Sequence, residues 1–396
     1  MSLSYNKAKR VLIRVDFNVP INKGKITDLT RIKSSLPTIN YFLKKGMAVV
    51  LMSHLGRPKN KENSLSLKTL ITPLSNLLKQ NILFSSDIIQ NSFKNLNAGE
   101  VLLLENLRFY PGEVKNDLNF SKLLSTYGDI YVNDAFGVAH REHSSVSGIL
   151  NFFQNETYKG FLLDKELSHL EQLKNNYKQP YTLIVGGSKI GSKIHMLEAF
   201  LNKANSILIG GGMAFPFIKY LGGEIGNSLC NDNELAVVEQ FLKKSKNSTT
   251  KIILPIDVIA TDNIESQQNI LTTEAISIPK KYMGVDIGPQ TVELFAKTIK
   301  KSNSVLWNGP MGVSEIDAFS VGTKRIANII VEATQNGSYS LIGGGDTISA
   351  ISQYEMQTAF SYVSTGGGAM LEFFKQKDLP TVGNLKSINK NRTLKL

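Results

Sequence analysis

The stretch "RVLIRVDFNVP", residues 10–20, is a short, continuously apolar, β-branched run that ends in polar and charged residues. Three more stretches follow the same plan: "GMAVVLMSHLGRP" (46–58), "EVLLLENLRFYPG" (100–112) and "DIYVNDAFGVAHREH" (129–143). Strict apolar–polar alternation would mark strands with one wet face. Unbroken short apolar runs mark strands buried on both faces, hence a parallel sheet covered by helices. "TRIKSSLPTINYFLKKG" (30–46) supplies one such helix. In open parallel sheets ligands bind outside the carboxyl ends of the strands, so the loops after these runs should converge on a site.

The second half repeats a different plan: "YTLIVGGSK" (181–189), "SILIGGGMA" (206–214), "KIILPIDVIAT" (251–261), "SVLWNGPMG" (304–312), "YSLIGGGDT" (339–347) and "FSYVSTGGGA" (360–369). Each strand-like run ends in glycine or proline, and most lead into a helical pattern. Without a Cβ in the way, backbone N–H groups at a helix N-terminus can approach a phosphate closely. One half is therefore built to hold anions with side chains and the other with backbone. Between them, "GFLLDKELSHLEQLKN" (160–175) sets Leu163, Leu167, Leu170 and Leu173 on one helical face, as a core helix of either half or as the helix joining the two. The end, "PTVGNLKSINKNRTLKL" (380–396), lacks periodicity and is a tail or a strap.

A chain of 396 residues, 42% of them hydrophobic, is long enough for two cores. The single cysteine, Cys230, excludes an internal disulfide framework and fits a reducing compartment. "MSLSYNKAKR" has no apolar signal region and "MAVVLM" is far too short to cross a bilayer, so a cytoplasmic protein without membrane contact is expected. A net charge of +12 invites a nucleic-acid reading, but the excess is scattered lysine with no basic block, aromatic stripe or zinc-finger spacing. Arginine behaves differently. Against 37 lysines there are eight arginines, and Arg14, Arg31, Arg57, Arg108 and Arg141 stand beside strand-like segments in the first 141 residues. A chain that uses lysine for ordinary surface charge keeps arginine where a planar, always-charged fork is needed.

"GGSKIGSK" (186–193) has the Gly186 to Gly191 spacing of the phosphate loop G-x-x-x-x-G-K-[ST], but Ser192 precedes Lys193 instead of following it. The longer motifs resolve the question. "RVDFNVP", "SHLGRP", "LLLENLRF", "VNDAFGVAHREHSS", "LWNGPMGV", "GGGDT" and "STGGGA" occur in the order found in phosphoglycerate kinases, which this chain resembles over nearly its whole length. The loop then resembles that family's own phosphate loop, in which many members carry an acid where Ser192 stands.

The resemblance implies an α/β fold of two domains, each a parallel sheet flanked by helices, facing across a cleft and joined by an interdomain helix. It implies a phosphoglycerate-binding domain over 1–160, the joining helix over 161–178, a nucleotide-binding domain over 179–375, and a tail over 376–396 that returns to the first domain or hangs free. For 3-phosphoglycerate or 1,3-bisphosphoglycerate it implies Asp16, Phe17, Asn18, Arg31, His54, Leu55, Gly56, Arg57, Arg108 and Arg141, with His140 at the edge. A small, highly charged anion needs several positive groups to fix it, so the arginine reading agrees. Arg14 stays open between this set and a structural arginine paired to a buried carboxylate, and the two histidines between ligands and ordinary hydrogen-bonded residues.

For ADP or ATP with Mg²⁺ the resemblance implies Gly187, Lys189, Lys193, Gly210, Gly211, Gly212, Asn308, Glu315, Gly343, Gly344, Gly345, Asp346 and Thr347, with Asp346 on the metal. Charge on the moving phosphoryl group falls to Arg31, Lys193 and the backbone around Gly366, Gly367 and Gly368. The attacking groups, an ADP phosphate oxygen or a carboxylate, are already ionised near neutral pH, so no general base and no covalent intermediate is needed. Hinge closure on binding both ligands, involving the helix near 161–175, and a monomer are the further expectations. A kinase or ligase for another carboxylate would not need this arginine set; a nucleotide- or RNA-binding relative would bind without turnover.

Overall fold

The first apolar run forms strand β1 (Arg10–Arg14). Helix α1 (Thr30–Lys44), strand β2 (Ala48–Met52), helix α2 (Ile71–Leu78), and strands β3 (Ile82–Ser85) and β4 (Val101–Leu104) follow; then come helix α3 (Leu118–Ser125) and strands β5 (Ile130–Asn133) and β6 (Thr157–Lys159). The strands pair in parallel in the order β6-β5-β1-β2-β4-β3, and the short strand Lys386–Ser387 adds in parallel outside β6. Every residue of β2, β4 and β5 is buried, as unbroken apolar runs require. Pro37 lies inside α1 and removes one backbone hydrogen bond. The helix continues because Ile32, Ile39 and Phe42 seat in the core with Val11, Val49 and Leu51 of the sheet.

This computed structural model describes residues 9–22, 24–90, 95–154, 156–191, 193–375, 379, 381–383 and 385–388. Met1–Ser168 with Asp378–Leu396 form one compact unit, and His169–Lys377 form another. The boundary falls within helix α4 (Phe161–Lys174), where Leu163, Leu167, Leu170 and Leu173 are all buried. Within the first unit, Thr381 Oγ1 donates to the Ala139 carbonyl at 2.5 Å, and Leu379 and Leu385 are buried.

The second unit contains β7 (Tyr181–Val185), α5 (Ile194–Phe200), β8 (Ser206–Ile209), α6 (Ala214–Tyr220), α7 (Asp232–Ser245) and β9 (Lys251–Ile253). Beyond these lie β10 (Asp257–Thr261), β11 (Leu271–Glu274), β12 (Met283–Ile287), α8 (Pro289–Ile299), β13 (Ser304–Asn308), α9 (Val321–Gln335), β14 (Tyr339–Gly343), α10 (Gly345–Gln353), β15 (Tyr362–Val363) and α11 (Gly368–Lys375). Its six-stranded sheet is parallel throughout, in the order β9-β8-β7-β13-β14-β15. All six glycine- or proline-ended runs contribute to it, with one correction. "KIILPIDVIAT" is two strands: β9 stops before Pro255, and β10 belongs to a separate antiparallel sheet, β11-β10-β12. Proline donates no backbone hydrogen bond and cannot continue a ladder. No helix among the described residues is long and apolar enough to cross a membrane.

Candidate active site

In the first unit β2 lies on one side of β1 and β5 on the other, so the loops beyond their carboxyl ends diverge around a crevice at β1. Side chains bind these loops together. The Phe17 N–H donates to Ser53 Oγ at 2.8 Å, and the Gly56 N–H donates to Asn18 Oδ1 at 2.8 Å. Asn106 Oδ1 accepts from the N–H groups of Leu55 (3.2 Å) and Arg108 (3.0 Å), while its Nδ2 donates to the carbonyls of Leu55 (2.8 Å) and Leu65 (2.9 Å). Arg108 Nη1 donates to the Gly56 carbonyl. Phe17, Leu55 and Gly56, named with the substrate set, hold the loops to one another through their backbone. Their N–H groups are spent on other loops, and the side chains of Phe17 and Leu55 lie in the core. Ser53 and Asn106, which hold the loops, stand inside the "SHLGRP" and "LLLENLRF" motifs but outside the site set that the resemblance implies.

Into this crevice come the arginines. Arg31, in the first turn of α1, pairs with Asp16, and Gly137 leaves room for the pair: a Cβ there would stand 2.4 Å from Asp16 Oδ2. Asp16 thus orients an arginine. His54 is buried, and burial followed by Arg14, Arg108, Arg31 and Arg141 holds its pKa well below the usual imidazole value, so it is neutral. Burial, then Arg141, Arg14 and Arg57, lowers the Arg108 guanidinium to about 10. Burial, then Arg57, lowers Arg141 too, with Asp16 opposing. Arginines close enough to lower a neighbour's pKa, beyond the effect of burial, form a concentrated positive field suited to a multiply charged anion. Arg14 is fully buried: Nε donates to Ser145 Oγ at 2.8 Å, Nη1 to the Val15 carbonyl at 2.5 Å and Nη2 to His54 Nδ1 at 3.2 Å. These bonds fit the structural reading, although among the described residues no carboxylate pairs with it directly. His140 shares the loop after β5 with Arg141.

The second unit has the same crevice at β7, with β8 on one side and β13 on the other. Its loops are joined by backbone. The Gly186 N–H donates to Asn308 O (3.0 Å), Gly187 N–H to Pro310 O (2.8 Å) and Gly211 N–H to Met311 O (3.1 Å). Gly309 has φ +100°, and a Cβ on it would stand 2.2 Å from Gly186 O and 2.4 Å from Lys193 Nζ. Glycine here makes space for the ammonium of Lys193, which donates to Gly186 O (2.6 Å) and Asn308 O (3.3 Å). Burial lowers Lys193 to about 8, with the Asp346 charge opposing.

Beside these loops opens a cavity of about 260 Å³. Phe215, Val258, Met283, Val285, Met311 and Val313 give it apolar walls, Gly187, Gly211 and Gly212 edge it, and the carboxylates of Glu315 and Asp346 also line it. Asp286 lines it as well; burial raises its carboxyl to about 7, against the N–H groups of Gly322 (2.6 Å) and Ile287 (2.9 Å). Sequence reading missed Gly309 and these apolar walls, although "MAFPF" (213–217) and "GPMGV" (309–313) carried the signal.

Several residues of the nucleotide set also hold the loops together. Gly210 and Gly343 do not line the cavity: Cβ atoms on them would stand 2.6 Å from Met311 Sδ and 2.3 Å from Met370 Sδ, so both are sites of close packing. Buried Thr347 accepts the Gly309 N–H at 2.7 Å, which holds that turn. Gly366 donates its N–H to Ser364 Oγ at 3.2 Å, so of the three glycines Gly367 (φ +49°) and Gly368, the first residue of α11, are the ones placed at the helix start. Lys189 is exposed on the loop after β7, outside the cavity lining. Ser192 lies outside the described residues.

Two features mark a ligand site. Among the described residues Asn308 Nδ2 is buried with no hydrogen-bond partner, and Asn308 stands at the carboxyl end of β13, beside Gly344 (φ +97°). An unspent donor there suits a phosphate oxygen. Asp346 sits exposed in the first turn of α10, and no cluster of three His, Cys, Asp or Glu side chains occurs among the described residues. One carboxylate suits Mg²⁺, which is bound through one or two carboxylates together with waters and substrate phosphates.

Comparison with known proteins gives the two crevices a context. A family model described as "Phosphoglycerate kinase" matches residues 3–377. The phosphoglycerate kinase of Thermosipho africanus is 43% identical over 390 residues, which is 97% of this chain and 96% of that protein. The phosphoglycerate kinase structure from Coxiella burnetii superposes with a TM-score of 0.84 at 36% identity, and that from Pyrococcus horikoshii with 0.84 at 31%; each comparison covers 96% of both chains. With an arginine-lined crevice on one parallel sheet and a glycine-edged cavity on the other, the chain belongs to the phosphoglycerate kinase family, the glycolytic kinases that transfer phosphate between a nucleotide and the carboxyl group of 3-phosphoglycerate.

Proposed function

We propose that the arginine crevice of the first unit binds 3-phosphoglycerate and 1,3-bisphosphoglycerate, and that the glycine loops of the second bind ADP or ATP with Mg²⁺. The observation that carries this reading is the gathering of Arg31, Arg108 and Arg141 near His54 at the ends of one parallel sheet, a concentration of positive charge that an anion relieves. Arg31, Arg57, Arg108 and Arg141 supply charge and bidentate donors, and neutral His54 supplies a single N–H. In the second unit Phe215, Val285 and Met311 cover the base, Glu315 accepts from the ribose hydroxyls, and Asn308 Nδ2 with the loop N–H groups meets the phosphates. Asp346 holds Mg²⁺, which when bound neutralises phosphate charge.

Chemistry asks little else of the chain. Both nucleophiles are ionised, so the residues align the reactants and compensate charge on the moving phosphoryl group. Arg31, the Lys193 ammonium and the backbone at Gly367 and Gly368 do so, and hinge closure brings the two ligands together. The protein works as a cytoplasmic monomer. A hydroxylamine trap tests the assignment: the protein with MgATP and 3-phosphoglycerate should yield hydroxamate only when both substrates are present. Arg31→Ala and Lys193→Ala should each lower the rate by about 10²- to 10³-fold, the scale for losing one preorganised charge-stabilising donor. Wild-type rates in either variant sink that residue's role.

A further inference from the structure

Three buried residues behind the arginine crevice are absorbed by no ligand role. Glu113, in the short helix Pro111–Val114, is fully buried, and so are Ser145 and Arg14. Glu113 Oε1 accepts from Ser145 Oγ at 2.6 Å, and its Oε2 accepts from the Ser145 N–H at 3.0 Å. Ser145 Oγ in turn accepts from Arg14 Nε at 2.8 Å, and Arg14 Nη2 lies 3.2 Å from His54 Nδ1. The chain Glu113–Ser145–Arg14–His54 runs from the interior to the crevice. His143, 3.8 Å from Glu113 Oε1, is lowered to about 4 by burial and the nearby arginines and is neutral; Arg14 reaches Glu113 through Ser145, and Arg108 also lies close enough to interact with it.

Each link fixes the direction of the next. Arg14 Nε donates to Ser145 Oγ, so the oxygen lone pairs face Arg14 and the hydroxyl proton points to Glu113 Oε1. Arginine can only donate, so His54 Nδ1 must carry a lone pair. We propose that Arg14, held by Glu113 through Ser145, is a positioning residue that locks His54 in the Nε2–H tautomer, so that its one N–H is kept as a donor to the substrate anion. Substrate recognition in this statement rests on the assignment of the crevice made above; the tautomer does not.

The two parts separate experimentally. In ¹⁵N-labelled protein without substrate, with His54 identified by its loss in His54→Gln, the ring should show a protonated Nε2 and an unprotonated Nδ1 from pH 5.5 to 8. Ser145→Ala, which removes the relay hydroxyl, should mix the tautomers and raise KM for 3-phosphoglycerate about tenfold, the size of one hydrogen bond to a charged group, with KM for ATP unchanged. Glu113→Gln provides a second break in the chain should Ser145→Ala fold poorly, with the same expected pattern. A wild-type His54 protonated at Nδ1, or an unchanged tautomer in both variants, overturns the proposal. If instead Arg57→Ala leaves KM for 3-phosphoglycerate unchanged, the crevice assignment falls and the substrate half of the proposal falls with it, whatever the tautomer.

Discussion

On the proposed assignment, the two halves of this chain solve one problem, holding a phosphorylated ligand at the carboxyl edge of a parallel sheet, with different materials. In the first unit the proposed ligand groups are side chains, and the loops beneath them are tied by the side chains of Ser53, Asn18 and Asn106. In the second the loops are tied by the N–H groups of Gly186, Gly187 and Gly211 to carbonyls at and beyond the end of β13, and at Gly186 and Gly211 the neighbouring backbone lies too close for a Cβ. The difference should govern how each half fails. A side-chain site can lose one donor and keep the rest, whereas a backbone site loses its shape when one chain segment moves.

Gly309→Ala should break the backbone half most severely. The added methyl meets Gly186 O and Lys193 Nζ at a backbone φ of +100° that alanine rarely adopts. We expect about 3 kcal/mol of lost stability and at least about a hundredfold weaker nucleotide binding, read by thermal unfolding and calorimetry. An unaltered ADP affinity would refute the close-approach argument. Arg57→Lys sharpens the other side: charge is kept and the bidentate fork is lost. KM for 3-phosphoglycerate should rise about tenfold at unchanged stability, a graded loss that steady-state kinetics can read.

The smallest effect expected is a pH dependence. Lys193 is lowered to about 8 by burial, so its charge is present below that pH and is lost as the pH rises through it. Affinity for ADP should therefore weaken by several-fold between pH 7 and 9, and Lys193→Arg, whose guanidinium stays charged, should flatten the profile. A wild-type profile as flat as that variant's would place the loop cation elsewhere.

Much of this was legible in the chain. Apolar runs that do not alternate require strands covered on both faces, and β2, β4, β5, β7, β8 and β13 are buried throughout. Arginines kept beside such runs in a lysine-rich chain pointed to the anion crevice. What escaped was long-range pairing. Glu113 stands 32 residues from Ser145, which is 131 residues from Arg14, and no local pattern relates them. Pro255 separates β9 from β10, but that the second piece walls a cavity depends on β12 lying beside it.

The sequence by itself determined the period of the apolar runs, the helices between them, the places where glycine frees the backbone, and the residues that bring charge. These are properties of a segment and its nearest neighbours along the chain. Tertiary structure decided which N–H groups are left over for a ligand. Phe17, Leu55 and Gly366 looked open in the sequence and are spent on Ser53, Asn106 and Ser364, while Asn308 Nδ2 is buried and unspent. Hydrogen-bond satisfaction is counted in three dimensions, and the folded packing alone sets that count.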